Sequence, residues 1–429
     1  MLKQLILENW KSFRYAALPI DPLTVIIGTN SSGKSNVVEA LEFLQRIVTG
    51  KDEDIEAALA GDETLPSIRG GVEWAARKPG TEFTLKVVVQ GDDDLTDYIY
   101  SISVQTQPII QILEKQINIQ VDDSSRELPK RSTLIDIKNI SNSELVFLKE
   151  HKRNIQSINV NKAVSKSMTE WENKNSESNV ITETPEIQEN PQRIQFKNQI
   201  NTVIQTIENI FVLNPLPSNM RDYSPLSEKL ESDASNIAGV LAALDYEQKT
   251  EVESTLSTYV RNLPEGDIQK VWAEKVGRFG TDAMLYCEEL WKPAHSTEID
   301  ARSMSDGTLR FIAILTALLT RPEGSQIVIE EVDNGLHPSR LELLVKMLRE
   351  IGKKRNIDIL VTTHNPAFLD ALGSEIVPFV VVAHRNYENG DSQLTILEDI
   401  QNFSKLFASA SLGKLTINGA IERNLSRGE

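Results

Sequence analysis

The sequence predicts an α/β fold: a mixed or parallel central sheet, an antiparallel β subdomain, and a helical or loop insertion. Three observations carry this. From residue 303 onward the pattern alternates through loop, helix 307–320, strand 326–331, helix 338–354, strand 357–362, helix 366–372 and strand 376–384. Alternation of this kind signals a parallel sheet covered by helices. Near the N-terminus the apolar run "LTVIIG" meets a glycine-rich loop and then "SNVVEALEFLQRIV", with apolar residues at helical spacing. Between these regions come strand candidates without helices: "GVEWAA", "FTLKVVVQ", "YIYSISV" and "IIQILEKQINIQV". The last alternates clearly with period two.

The elements follow in order. Residues 2–27 read as two strands, "KQLILENW" and "LTVIIG", with a turn at Pro19 to Pro22. Residues 51–70 read as helix and loop. From about 122 to 195 Asn, Ser, Lys and Glu dominate and apolar residues thin out. That segment reads as an insertion of helices and mobile loop, or as variable surface. A helix pattern returns at 194–209. It leads to "IFVLNPLP" and to "SDASNIAGVLAAL", where Ser232 or Asp233 is positioned to cap a helix. Residues 246–262 read as helix and "AMLYCEELW" as a strand. The final "SLGKLTINGAIERNL" has no assignment, and no internal repeat is visible. The expected division is an N-terminal lobe 1–121, an insertion 122–195, a C-terminal lobe 196–398 and a tail 399–429.

Composition bounds the function. The chain has 429 residues, 40% hydrophobic and 25% charged, ordinary values for a globular protein. Its one cysteine, Cys287, makes an intrachain disulfide impossible and a cytoplasmic setting the default. The N-terminus does not read as a signal peptide, because charges interrupt its apolar residues. No apolar run approaches the roughly 18 residues a membrane span needs, so no membrane is expected. A net charge of −17 argues against a surface that is wholly a nucleic-acid cradle, while leaving nucleic acid possible at a local basic face.

The strongest motif is "GTNSSGKS", Gly28 to Ser35, with an apolar strand before it and a helix after it. Gly28 and Gly33 let backbone N–H groups converge on phosphate oxygens. The helix start near Lys34 adds its dipole. Lys34 is placed to reach the β- and γ-phosphates, and the Ser35 hydroxyl to complete a magnesium shell. The buried run "QIVIEE" ends in adjacent carboxylates, which calls for a partner charge. Glu330 is expected near magnesium, directly or through water, and Glu331 as general base. "IDILVTT" delivers His364 at a strand end, where an imidazole can sense a γ-phosphate; the alternative is that Thr363 is simply a cap for the helix "PAFLDAL". In "SMSDGTLRF", Ser305 precedes a helix, either as a plain cap or as part of a second anion site.

Phosphate loop, "MSDGT", "IVIEE", "NGLHP" and "TTHNP", in that order, resemble the ABC-type ATPases of the RecF/SMC-like and OLD-like branch. "LENWKSFRYAALPI" is similar to that branch's N-terminal strand pair. The resemblance covers about residues 1–50 and 200–385, and implies an ABC-type P-loop NTPase head that dimerises head to tail around two ATP molecules. It implies ATP and Mg2+ as cofactors. Gly28, Asn30, Ser32, Gly33, Lys34, Ser35 and Asn36 would bind phosphates and magnesium in one protomer, with Ser35 and Glu330 on the metal. Ser305 and Gly307 of the other protomer would cap the γ-phosphate. Glu331 would be the base and His364 the switch histidine. His337 stands where this family often has Asp. Glu330 stands where Asp is commoner, and Asp306 replaces the usual first glycine of the signature loop, so Arg302 or Arg310 is expected to compensate. No Q-loop glutamine is evident; Arg69, in "RGG", is the candidate there. Slow hydrolysis is the expectation.

About 65 residues follow His364, too few for a TOPRIM nuclease domain. A transporter ATPase and a long coiled-coil arm are disfavoured. The chain resembles stand-alone ATPases of anti-phage systems such as Septu, PARIS, retron-linked and RloA-type pairs. That implies a homodimer or larger assembly, acting as sensor or scaffold for a separate nuclease, TOPRIM or HNH-type effector or toxin, with no nuclease activity of its own. The alternative is a RecF-like ATP-dependent DNA clamp. A housekeeping NTPase is the third reading.

Overall fold

A computed structural model describes residues 1–50, 54–62, 66–121, 131–135, 191–292 and 295–425. Its N-terminal half contributes β1 (Leu2–Trp10), β2 (Phe13–Pro19), β3 (Leu23–Ile27), β4 (Glu82–Gln90), β5 (Thr96–Gln105), β6 (Gln111–Val121), β7 (Arg131–Ile135) and β8 (Ile210–Leu213). The C-terminal half contributes β9 (Ser224–Pro225), β10 (Ile268–Val276), β11 (Asp282–Lys292), β12 (His295–Asp300), β13 (Gln326–Ile329), β14 (Asp358–Thr363), β15 (Val380–Arg385) and β16 (Ser392–Ile396).

The central sheet runs β16-β15-β3-β14-β13-β8. All its neighbours are parallel except the edge strand β16, which is antiparallel to β15. Both faces of the sheet are covered, so its inner strands β3, β13 and β14 are largely apolar runs. The pleat splits each strand between two cores. Val25 and Ile27 face one core and Ile26 the other; Ile359 and Val361 oppose Leu360; Ile327 and Ile329 oppose Val328.

One core lies under the second sheet, the antiparallel β2-β1-β4-β5-β6-β7. Helix Lys34–Thr49 packs into this core. Trp10 and Phe83 meet edge-on at 4.9 Å, and Phe43 of the helix joins them. The Trp10 indole also donates to the Asn36 carbonyl at 2.7 Å, fixing the first turn of the helix. The other core takes helices Ile237–Ala243, Tyr246–Arg261, Asp306–Thr320 and Leu341–Lys354, together with the sheet of β9 to β12.

Several expectations need correction. The N-terminal stretch holds three strands, because Trp10 pairs with Phe13 across a tight turn in which Lys11 takes φ 50°. "GVEWAA" is a turn with a single bridge from Ala76 to Trp10, since Gly70 and Gly71 take φ 81° and 52°. The strand 376–384 begins only at Val380; a 3-10 helix covers Ser374–Phe379, where Pro378 has no N–H to give a ladder. Helix 338–354 starts at Leu341, after the 3-10 turn Pro338–Arg340. Asn236, not Ser232 or Asp233, occupies the cap position of helix Ile237–Ala243. The Asp233 carboxylate instead accepts from the Ser235 N–H at 2.9 Å. The unassigned C-terminal stretch forms short helices Phe403–Ser409, Leu412–Ile417 and Ala420–Leu425. The expected insertion 122–195 lies outside the described residues except at β7 and the start of helix Pro191–Glu208. Among the described residues no helix is long and apolar enough to cross a membrane.

Candidate functional site

Parallel strands β3, β13 and β14 all end at the same edge of the central sheet, so the loops that follow them converge. The loop after β3 is Gly28–Ser35. A Cβ on Gly28 would lie 2.2 Å from the Ala383 carbonyl oxygen, and one on Gly33 2.7 Å from Ser392 Oγ. Both take left-handed φ values, 148° and 114°. Helix Lys34–Thr49 starts without a side-chain cap and without an acidic residue in its first turn. Its first N–H groups therefore present an anion site. The Ser32 hydroxyl in this loop is buried with no protein partner. Asn30 is exposed at the loop tip. Lys34 Nζ folds back to donate to the Gly28 and Thr29 carbonyls at 2.7 and 2.9 Å. Burial lowers the Lys34 pKa, against the pull of Glu331 and Glu330. The Asn36 amide is engaged by Ser12 Oγ at 2.7 Å, tying the helix to the first hairpin.

β13 stops at Ile329, short of the expected end, so both glutamates stand on the following turn. Glu331 takes φ 48°, and its N–H donates to Thr362 Oγ1 at 2.9 Å. Ser35 Oγ donates to Glu330. Arg69 Nη2 reaches both Glu330 oxygens at 3.0 and 2.9 Å, and Arg69 Nε reaches Glu39 at 2.9 Å. Lys11 pairs with Glu39 and donates to the Arg69 carbonyl. Burial opposes the charge on Arg69, but Glu330 and Glu39 outweigh it and raise its pKa. His364 Nδ1 lies 3.7 Å from Glu331 Oε1. Thr363 does not cap the next helix. Asn365 does, accepting from the Ala367 N–H, while Thr363 Oγ1 donates to Asp333 at 2.6 Å.

Ser305 and Gly307 stand at a different helix start. Ser305 caps helix Asp306–Thr320, accepting from the Thr308 N–H at 3.2 Å. A Cβ on Gly307 would lie 2.8 Å from the Gly335 carbonyl oxygen, so only glycine lets this turn rest on the "NGLHP" loop. Arg340 Nη1 donates to Thr308 Oγ1 at 3.2 Å and pairs with Glu265 through Nε. The expected compensation of Asp306 by Arg302 or Arg310 does not occur through an ion pair. Arg302 pairs with Asp300, and Arg310 Nη1 donates to the Pro215 carbonyl at 3.1 Å. Arg221 pairs with Asp306. Sequence reasoning missed Arg221, Arg340, Lys11 and Glu39; Lys11 and Glu39 lie 28 positions apart, Arg340 and Glu265 75, and Arg221 and Asp306 85, beyond any local pattern. His337 is exposed and bonds Ser339 through Nδ1 at 2.8 Å.

Among the described residues no three His, Cys, Asp or Glu side chains gather as a metal cage. The Ser35 hydroxyl beside the Glu330 carboxylate is a hard, all-oxygen pair, the kind magnesium uses together with water and phosphate.

Residues 23–370 match the family described as "AAA domain, putative AbiEii toxin, Type IV TA system". The chain belongs to this AAA-domain family. A relative named ATP/GTP phosphatase, from Helicobacter pylori, is 23% identical over 381 residues, covering 88% of each chain. The SMC head domain from Thermotoga maritima is 14% identical with a TM-score of 0.44, covering 92% of this chain and 98% of that one. An SMC head bound to the C-winged helix domain of ScpA is 12% identical with a TM-score of 0.49, covering 92% of this chain and 96% of that one. Within the AAA-domain match lie the loop Gly28–Ser35, the helix Asp306–Thr320, both glutamates and His364.

Proposed function

We propose that this AAA-domain protein is an ABC-type ATPase that dimerises head to tail around ATP and Mg2+, hydrolyses ATP slowly, and controls a separate nuclease or toxin effector in anti-phage defence. The observation that carries the ATPase reading is the convergence of an uncapped, acid-free helix start with Ser35, Glu330, Glu331 and His364 at one sheet edge. The printed name of the Helicobacter pylori relative supports nucleotide hydrolysis. The effector reading rests on the order of the motifs and their resemblance to stand-alone defence ATPases.

In this reading the amides of Gly33, Lys34 and Ser35 hold phosphate oxygens. Lys34 exchanges the Gly28 and Thr29 carbonyls for phosphate, a stronger charge-assisted contact. Ser35 and Glu330 would hold Mg2+, which when bound neutralises phosphate charge. Glu331 takes the proton of the attacking water, and His364, 3.7 Å away, orients that carboxylate and registers the γ-phosphate. Ser305 and Gly307 of a second copy close the site.

The test is to purify the wild type and Glu331→Gln, then measure phosphate release, native mass with and without ATP, and co-purifying proteins. The expected outcome is slow release by the wild type, none by Glu331→Gln, and an ATP-trapped Glu331→Gln dimer carrying a stoichiometric effector. A chain that neither binds nor hydrolyses ATP would sink the reading. An ATP-dependent dimer that instead retains duplex DNA, with a steep salt slope, would replace the effector role with a clamp.

A further inference from the structure

We infer that Arg221 is a positioning residue for the second half of the composite site: it shapes residues 301–306 so that Ser305 can meet a nucleotide held by another copy. The inference rests on the head-to-tail reading above.

Arg221 closes a 3-10 turn, Asn219–Arg221, just beyond β8. Its Nη1, with two N–H groups, lies within hydrogen-bond reach of three carbonyls of the 301–306 loop, Ala301 at 2.9 Å, Arg302 at 3.0 Å and Met304 at 2.8 Å, so at least one bond is shared. Its Nη2 pairs with the Asp306 carboxylate at 2.5 Å. One guanidinium thus grips the loop on both sides of Ser305. Only a planar fork with several fixed donors does this; an ammonium is a point charge and covers fewer acceptors.

Charge explains why the grip matters. Asp306 sits in the first turn of its helix, and its side chain is 70% exposed. A bare carboxylate there would repel an incoming phosphate. Paired with Arg221, it carries its counter-charge with it.

The strap that bears Arg221 is itself anchored. The Leu216 N–H donates to the Asp233 carbonyl at 2.9 Å, and the Asn219 amide donates to the Asp233 carboxylate at 2.9 Å. The Pro215 carbonyl accepts from Arg310 of the signature helix at 3.1 Å. The strap also continues β8, which pairs in parallel with β13, the strand that delivers Glu330. Arg221 therefore ties the signature loop to the sheet edge that carries the carboxylates.

The test compares Arg221→Ala, Arg221→Lys and Arg221→Ala/Asp306→Gly. Three quantities are measured: binding of a fluorescent ATP analogue at low protein concentration, ATP-dependent dimerisation in the Glu331→Gln background, and kcat. The inference expects analogue binding within about twofold of wild type, with dimerisation and kcat both lowered at least about tenfold in Arg221→Ala. Arg221→Lys fails to rescue, and Asp306→Gly recovers part of the loss. Arg221→Ala that dimerises and turns over like the wild type overturns this inference alone. So does a loss that reaches analogue binding and thermal stability equally, which marks a merely structural residue. A wild type that binds ATP but never dimerises overturns this inference and the head-to-tail reading together.

Discussion

Two helix starts in this molecule carry a serine beside a glycine, yet they are built in opposite ways. Helix Lys34–Thr49 begins after Gly33 at φ 114°, with no side-chain cap and no acid in its first turn. Helix Asp306–Thr320 is capped by Ser305, and Asp306 occupies its first turn. The first leaves its N–H groups and dipole for an external anion. The second has its Thr308 N–H capped by Ser305 and carries a carboxylate in its first turn, so it is a much poorer independent phosphate site. The difference assigns unequal work. In the proposed reading the phosphate loop holds the nucleotide, while the loop at Ser305 offers a shaped, charge-compensated surface to something already held.

This contrast can be broken or sharpened by substitution. The largest effect is expected at Glu331: Glu331→Gln should lower the hydrolysis rate by roughly 10²- to 10⁴-fold, with ATP affinity retained, as read by single-turnover phosphate release. Retained hydrolysis would remove Glu331 as the base. Lys34→Ala should next weaken ATP binding by about 10- to 100-fold in a titration, the scale of a lost charged hydrogen bond, whereas substitutions at Ser305 should leave binding to isolated protomers intact.

The third concerns the opposite end of β14 from His364. Burial pushes the Asp358 carboxyl up to about 6 from an ordinary 3.8. Its folded pKa is raised, so the folded state holds the proton more tightly and stability falls as pH rises from about 4 to about 6. Asp358→Asn should therefore stabilise the fold by about 1–3 kcal/mol above pH 6, with the gain vanishing below pH 4 in denaturant titrations. A gain that is the same at every pH would exclude titration as its cause. The smallest effect belongs to the capped start: Ser305→Ala should cost about 1 kcal/mol of stability by thermal melting, a loss with no counterpart at the uncapped helix.

Much of this was legible in the sequence because it is local. "GTNSSGKS" names a loop conformation, Ser305 names a cap, and "DILVTT" between helical patterns names a parallel strand. What was illegible depends on contacts between distant segments or on backbone that overrides pattern. Two consecutive exposed residues, Arg14 and Tyr15, break the alternation of β2 and hide it. The 85 positions separating Arg221 from Asp306 hide that pair, and so Arg302 and Arg310, nearer in sequence, were the expected partners. Nothing in "IVIEE" announces a left-handed residue, so the pattern carries the strand through Glu331. The sequence offers Arg69 only as a Q-loop stand-in; its grip on Glu330 and Glu39 is a property of the folded loop.

β13 is four residues long and buried at every one of them, clasped between β8 and β14 in unbroken register. It works as a ruler. One residue added or removed would slide its end by about 3.3 Å and turn its apolar side chains to the wrong core. Either slip would carry Glu330 out of reach of Ser35; a removal would put Glu331 in its place, and an insertion Ile329. The spacing of the carboxylates is thus measured by hydrophobic packing, and a change of length here would be read out as a change of chemistry.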